Sequence, residues 1–195
     1  MTTDKKTLEV REWVRTQVSP YRFQHIEGVA KTAKSLAQKH HLPPRKAEWA
    51  ALLHDCAKEL SRAEMKRWIK KGGFKLDKAE EAMPGLWHPH AGAALAKLKW
   101  GIKDKDILEA IRCHTLGGAG MGPLARLLFV ADFIEPGRRF RGVEVVRRAA
   151  DSDLAEAVLL KCSMTLQFLF EKGMKVHPRL VETWNSHLKS NKMPE

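Results

Sequence analysis

The chain repeats its apolar residues at three- and four-residue spacing almost from end to end, and no stretch alternates apolar and polar residues long enough to make a strand. That pattern predicts an all-α fold. Prolines and glycines punctuate it at helix-length intervals. A first short helix is expected from about Leu8 to Val18, with Trp13 and Val14 inward. Ser19-Pro20 opens a second, with Ile26, Val29, Ala33, Leu36 and Ala37 on one face. Pro43-Pro44 starts a third, which passes through Trp49, Ala50 and Leu53 and ends near Lys58. Ser61 with Glu64 reads as a capping box for a fourth, closed by Gly72-Gly73. After a loop, Pro89 opens a helix to about Leu98. Asp104 caps another, with the stripe Ile107, Ala110, Ile111 and His114, stopped by Gly117-Gly118. Pro123 begins a helix with Leu124, Leu127, Leu128 and Ala131 inward, broken by Pro136-Gly137. A long helix runs from about Asp153 to Lys172, with Asp153 and Glu156 as a second capping box, and Pro178 begins the last, through Leu188.

No internal repeat or linker divides this series, so a single-domain helical bundle is expected. Residues 1–18 form an N-terminal helix packing on the domain, residues 19–188 the domain itself, and 189–195 a frayed tail. A chain of 195 residues buries roughly 70% of its unfolded surface and needs no disulfide merely to fold. Its three cysteines, Cys56, Cys113 and Cys162, form no CxxC pair, which suits a reducing compartment. The first twenty residues contain no apolar signal core, and an apolar run such as Leu127 to Ala131 is far short of the ~20 residues that span a bilayer. A soluble, cytoplasmic protein without a membrane partner is the expectation.

The formal net charge of +12 exceeds the ~2–8 that keeps a small domain soluble, and such a field attracts anions. Nucleic acid is not the expected anion. There is one tyrosine, and the clusters Lys66-Arg67 with Lys70-Lys71 and Arg138-Arg139 with Arg141 match no known nucleic-acid-binding motif. A homodimer is left open, because an internal core accounts for the apolar stripes.

Of nine histidines, His40, His41 and His187 sit at helix ends, where they suit the helix dipole. Four others are placed differently. His25 adjoins an apolar stripe, His54 follows Leu52-Leu53, His88 precedes Pro89, and His114 completes an apolar stripe. Asp55 follows His54, and Asp132 interrupts the run that begins at Leu127. A buried carboxylate is costly unless it is paired or binds a metal. Four imidazoles and two carboxylates from separate helices would suffice for one dinuclear site, with Asp55 bridging, and Lys58 would share a helix face with His54 and Asp55. Imidazole with carboxylate suits Fe, Mn, Co, Ni or Zn better than Mg or Ca. Cys56 points about 100° further round the helix and is not counted as a ligand.

The stretches YRFQHIEGVAKTAKSLA, ALLHDCAKEL, LWHPHAGAALA, AIRCHTLGGAGM, FVADFIEPGRRFRGVEVVRRAA and VHP occur in this order between Tyr21 and Pro178. Together they resemble the HD-domain metal-dependent phosphohydrolases and, more narrowly, the bacterial YqeK family. That resemblance implies a symmetrical hydrolase of dinucleoside tetraphosphates, which cuts diadenosine tetraphosphate into two ADP with a hydroxide activated by two metal ions, iron before Mn, Co, Ni or Zn. It implies metal ligation by His25, His54, Asp55, His88, His114 and Asp132, with Asp55 and Lys58 in catalytic roles. It also implies that Arg138 and Arg22, together with Thr115 and Gly117 of the HTLG stretch, contact the substrate. Two positions depart from the family pattern: Pro89-His90 follow His88, so His90 competes for its role, and Ala125 stands where an acidic residue is usual.

Three other readings share these residues. One keeps the metal site for a different nucleotide or an alarmone, because function lives in the pocket rather than the scaffold. Another is a di-iron oxygenase, although nothing marks an organic substrate. The last is a basic helical binding module with a vestigial metal site, against which the complete ligand set argues.

Overall fold

Among the described residues, 5–188 of the computed structural model, the chain forms helices and turns and no strand. The helices are α1 (Lys5–Gln17), α2 (Pro20–Lys39), α3 (Pro44–Leu53), α4 (Arg62–Gly72), α5 (Lys78–Glu81), α6 (His88–Lys99), α7 (Lys105–Cys113), α8 (Pro123–Ile134), α9 (Val143–Ser152), α10 (Leu154–Glu171) and α11 (Pro178–His187), with a 3-10 turn at Pro84–Leu86. The expected tail, 189–195, lies outside the described residues, as do residues 1–4 of the first helix segment.

The apolar helix α8 is the centre of the bundle and touches α2, α3, α7, α9 and α10. Its Leu127, Leu128 and Phe129 are fully buried with Ile26 of α2 and Leu52 and Leu53 of α3. Burial of each such side chain contributes about 1.5–3 kcal/mol, so this seam sets where the three helices lie. α1 closes one side through the buried Val10 and Val14, and Trp49 Nε1 of α3 donates to Thr7 Oγ1 at 2.8 Å.

Several boundaries differ from those the sequence predicts. α3 stops at Leu53 rather than near Lys58, and residues 54–59 are turns. Nδ1 of His54 lies 2.6 Å from the Ala51 carbonyl, the acceptor that the Asp55 amide would need to continue the helix. Lys58 therefore does not share a helix face with His54 and Asp55; its amide bonds the Asp55 carbonyl in a tight turn instead. Asp153 does cap α10, accepting from the amides of Ala155 and Glu156, but the box is not reciprocal. The Asp153 amide is already taken by the Ala149 carbonyl at the end of α9. α6 starts at His88, with Pro89 inside its first turn.

Two helices were not expected. α5 is one turn long, too short for periodicity, and is held by a reciprocal capping box between Asp77 and Glu80. α9 has a helical stripe, Val143, Val146, Ala149 and Ala150, but starts at Gly142 with φ 91° and no capping side chain to announce it. His40 does more than face the helix dipole: its Nε2 lies 2.7 Å from the Ala150 carbonyl and ties α2 to α9.

Candidate metal centre

Three of the four singled-out histidines stand where a helical segment begins or ends. His54 is the C-cap of α3, His114 the C-cap of α7, and His88 the first residue of α6. A chain leaving regular helix has carbonyls without an amide partner. Each imidazole uses one: Nδ1 lies 2.6 Å from the Ala51 carbonyl in His54, 2.7 Å from Ile111 in His114, and 2.9 Å from Gly85 in His88. The fourth, His25 in mid-α2, has Nδ1 at 3.2 Å from Oε1 of Glu135. With a main-chain carbonyl opposite Nδ1 in His54, His88 and His114, the ring proton belongs there, and their Nε2 lone pairs turn toward a common centre that Nε2 of His25 also faces.

Asp55 stands in that centre with one oxygen to each side. Its Oδ2 lies 4.0 Å from Nε2 of His25 and 3.6 Å from that of His54. Its Oδ1 lies 3.3 Å from Nε2 of His88 and 3.5 Å from that of His114. Asp132 comes from α8, with Oδ1 at 3.0 Å from Nε2 of His25 and 3.8 Å from Nε2 of His54. Two three-residue groups share Asp55, namely His25 with His54 and His88 with His114, and the candidate ligand atoms within each group lie within 4.8 Å of one another.

These residues fit metal ions. Nε2 of His25 and of His54 and Oδ1 of Asp55 are buried without a hydrogen-bond partner. The Nε2 atoms of His88 and His114 are 3.2 Å apart. Lone pairs and carboxylates this close repel unless a cation lies among them. Protonation states agree with the donor chemistry. Burial pushes His54 down to about 4 and His88 well below the ordinary imidazole value, so both stay neutral. Burial alone would raise Asp55 and Asp132, yet both are held well below the usual carboxylate range, Asp132 with the Lys161 ammonium among its neighbours.

The expected substrate residues lie around this cluster to different degrees. Lys58 Nζ is 3.2 Å from Nε2 of His88 and Thr115 Oγ1 is 3.3 Å from the same atom. Arg138 Nη2 is 3.3 Å from Oδ1 of Asp132, and Arg22 Nη1 is 2.9 Å from Oδ2 of Asp55. Gly117 has a packing reason to be glycine: its φ is 74° and an added Cβ would lie 2.4 Å from Cγ2 of Thr183. His90 does not join the cluster; its Nε2 is 2.8 Å from Oε1 of Glu80, which also receives Arg179 Nη1 at 2.7 Å. Cys56 is buried, and neither metal-capable group includes it. Ala125, where the family pattern has an acid, is fully buried in the core.

Two residues that touch the cluster were missed. Glu135 sits within the quoted ADFIEPGR stretch, three positions after Asp132, and that spacing was the available signal. Lys161 of α10 gave none, since a lysine in a long helix ordinarily faces water. It is buried, with Nζ at 2.5 Å from the Phe129 carbonyl, 3.1 Å from the His114 carbonyl and 3.8 Å from Oδ2 of Asp132.

The HD domain family matches residues 22–137, an interval that contains all six clustered histidines and aspartates. A Bacillus subtilis (strain 168) protein described as "Bis(5'-nucleosyl)-tetraphosphatase, symmetrical" is 40% identical over 172 residues, which is 88% of this chain and 92% of that protein. A protein of the same description from Halalkalibacterium halodurans is 38% identical over 181 residues, 92% of this chain and 95% of its own. A crystal structure from Clostridium acetobutylicum, described as a predicted HD superfamily hydrolase involved in NAD metabolism, matches with a TM-score of 0.87 and 36% identity, covering 92% of this chain and 95% of that one. No helix among the described residues is long and apolar enough to cross a membrane.

Proposed function

The chain belongs to the HD domain family, and from that premise we propose that it hydrolyses dinucleoside tetraphosphates at the central phosphoanhydride bond, releasing two nucleoside diphosphates. The observation that carries this reading is the pair of three-ligand groups joined by Asp55. Two transition-metal ions are assigned to it, iron first and Mn, Co, Ni or Zn as alternatives. His25, His54 and Asp132 would hold one ion and His88 and His114 the other, with Asp55 offering an oxygen to each. Such ions, when bound, supply Lewis acidity and a lowered pKa for water.

The rest of the chemistry falls to side chains at the rim. Arg138 is 39% exposed and hangs over Asp132, so its guanidinium can meet phosphate oxygens in a planar fork. Lys58 on the His88 side offers a point charge to the leaving phosphate, and Thr115 a hydroxyl beside it. Arg22 enters from α2 on the Asp55 side. These groups bring positive charge from separate elements around one centre, an arrangement suited to a substrate with phosphates on both sides of the broken bond. The wider field of the +12 chain raises the encounter rate with a tetra-anion.

The test is metal analysis of the purified protein, followed by incubation with diadenosine tetraphosphate and separation of the products. ADP as sole nucleotide product with about two metals per chain is the expected result. AMP with ATP would place the attack at another phosphorus and overturn the symmetrical reading. NAD belongs in the same assay, given the description of the Clostridium protein; its two phosphates offer no bond whose hydrolysis gives two diphosphates, and turnover of NAD alone would replace the substrate class.

A further inference from the structure

Of the four clustered histidines, His25 is the one whose outer nitrogen faces a side chain instead of a main-chain carbonyl. It stands between two carboxylates. Oε1 of Glu135 lies 3.2 Å from Nδ1, and Oδ1 of Asp132 lies 3.0 Å from Nε2. Either could take the single proton of a neutral ring. If Asp132 held it, Nε2 would carry a hydrogen and have no lone pair for a metal. The geometry favours the other side, since Nδ1 is aligned with Glu135 for a hydrogen bond whereas Nε2 has no aligned partner. We propose that Glu135 is a positioning residue: its carboxylate keeps the His25 proton on Nδ1 and thereby holds Nε2 open as a ligand.

The surroundings are shaped for this contact. Glycine at position 28 weakens the middle of α2, yet a Cβ there would lie 2.5 Å from Oε2 of Glu135. Gly28 thus leaves room for the carboxylate one turn from His25. The Gly137 amide donates to Oε2 at 2.6 Å, which fixes the carboxylate plane. Arg147 of α9 then clamps the turn from behind, donating to the carbonyls of Ile134 at 3.0 Å, Glu135 at 3.0 Å and Arg138 at 3.1 Å. A glycine on one helix and an amide in the turn converge on one carboxylate that touches no other clustered histidine, while an arginine on a third element holds the main chain of the turn.

The proposal rests on reading the cluster as a metal centre, and its test keeps the two apart. The imidazole nitrogens are followed by 15N NMR in metal-free wild type, Glu135→Ala, Glu135→Gln and Gly28→Ala, and metal affinity is measured by chelator competition. In wild type, His25 should carry its proton on Nδ1. In Glu135→Ala the proton should move to Nε2, the other three tautomers should stay, and one metal equivalent should weaken about 10–100-fold. Glu135→Gln keeps one acceptor oxygen for two donors, the Gly137 amide and the His25 Nδ1–H, and should fall between wild type and Glu135→Ala in both tautomer and affinity. Gly28→Ala meets only the far end of the Glu135 side chain, so it should leave the fold intact and reproduce the alanine variant from the other helix. An unchanged His25 tautomer and unchanged affinity in both Glu135→Ala and Gly28→Ala would overturn the proposal. A tautomer shift in a protein that binds no metal would uphold the role of Glu135 and remove the metal reading instead.

Discussion

Nη1 of Arg22 donates to Oδ2 of Asp55 at 2.9 Å, the same oxygen that faces His25 and His54. The guanidinium and a metal ion would compete for that oxygen. Releasing a charge-assisted bond of this kind costs about 1.5–3 kcal/mol. Arg22→Ala should therefore raise metal affinity about tenfold or more while weakening substrate binding, seen as a higher KM. Chelator competition together with steady-state kinetics measures both. A drop in both metal affinity and KM would contradict the placement of Arg22.

Asp55 is the residue common to both halves of the cluster. Asp55→Ala should abolish metal binding and turnover together while far-ultraviolet circular dichroism keeps its helical form. Retention of both metal and activity would remove the site assignment.

Acid should weaken the metal-free protein in a definite window. Folded His54 titrates at about 4 because burial disfavours its charged form, against 6.5 for an exposed ring. Between those values the unfolded chain binds a proton that the folded chain does not, so stability falls as pH drops from about 6.5 toward about 4 and is indifferent to this group above 6.5. The full span corresponds to about 3 kcal/mol. Asp55 and Asp132, held below the ordinary carboxylate value, add their loss only at still lower pH. Urea denaturation of chelator-treated protein at about pH 7 and about pH 4 measures the difference, and equal midpoints would refute it.

Lys161 lends its ammonium to two main-chain carbonyls and stands 3.8 Å from Asp132. Lys161→Met leaves both carbonyls and the carboxylate short of a partner, and should destabilise the metal-free protein by about 3 kcal/mol. Bound metal supplies a counter-charge to Asp132, so thermal melts of the loaded protein should show a smaller gap between variant and wild type. An equal gap in both states would mean that Lys161 acts on packing alone.

At Gly117 a substitution meets both a left-handed backbone and the Thr183 side chain. Gly117→Ala should cost about 2–4 kcal/mol by thermal or urea denaturation. Pairing it with Thr183→Ser, which removes the methyl that the new Cβ would strike, should recover part of the loss. A fully stable single variant would show that the turn relaxes freely.

The sequence is most legible where periodicity, proline and capping residues coincide. α2, α4, α7 and α8 begin at expected positions because Ser19-Pro20, Ser61, Asp104 and Pro123 each leave a local signature. The six clustered residues are legible as polar interruptions of apolar runs. Contacts made across the bundle are not legible. The early end of α3 depends on where the His54 ring turns, and the burial of Lys161 depends on α10 crossing behind α8. Whether His88 or His90 faces the centre is likewise decided by Glu80 and Arg179, the second of them distant in sequence, which together claim His90.

Three of the four imidazoles hold their outer proton against a carbonyl three residues earlier in their own chain. Every amino acid carries that carbonyl. Single substitutions at Ala51, Gly85 or Ile111 therefore cannot delete the acceptor and can only shift the backbone that presents it. For those three imidazoles, drift in the surrounding side chains leaves the acceptor in place. The cluster's mutational risk gathers on the remaining imidazole, whose acceptor a single base change can remove.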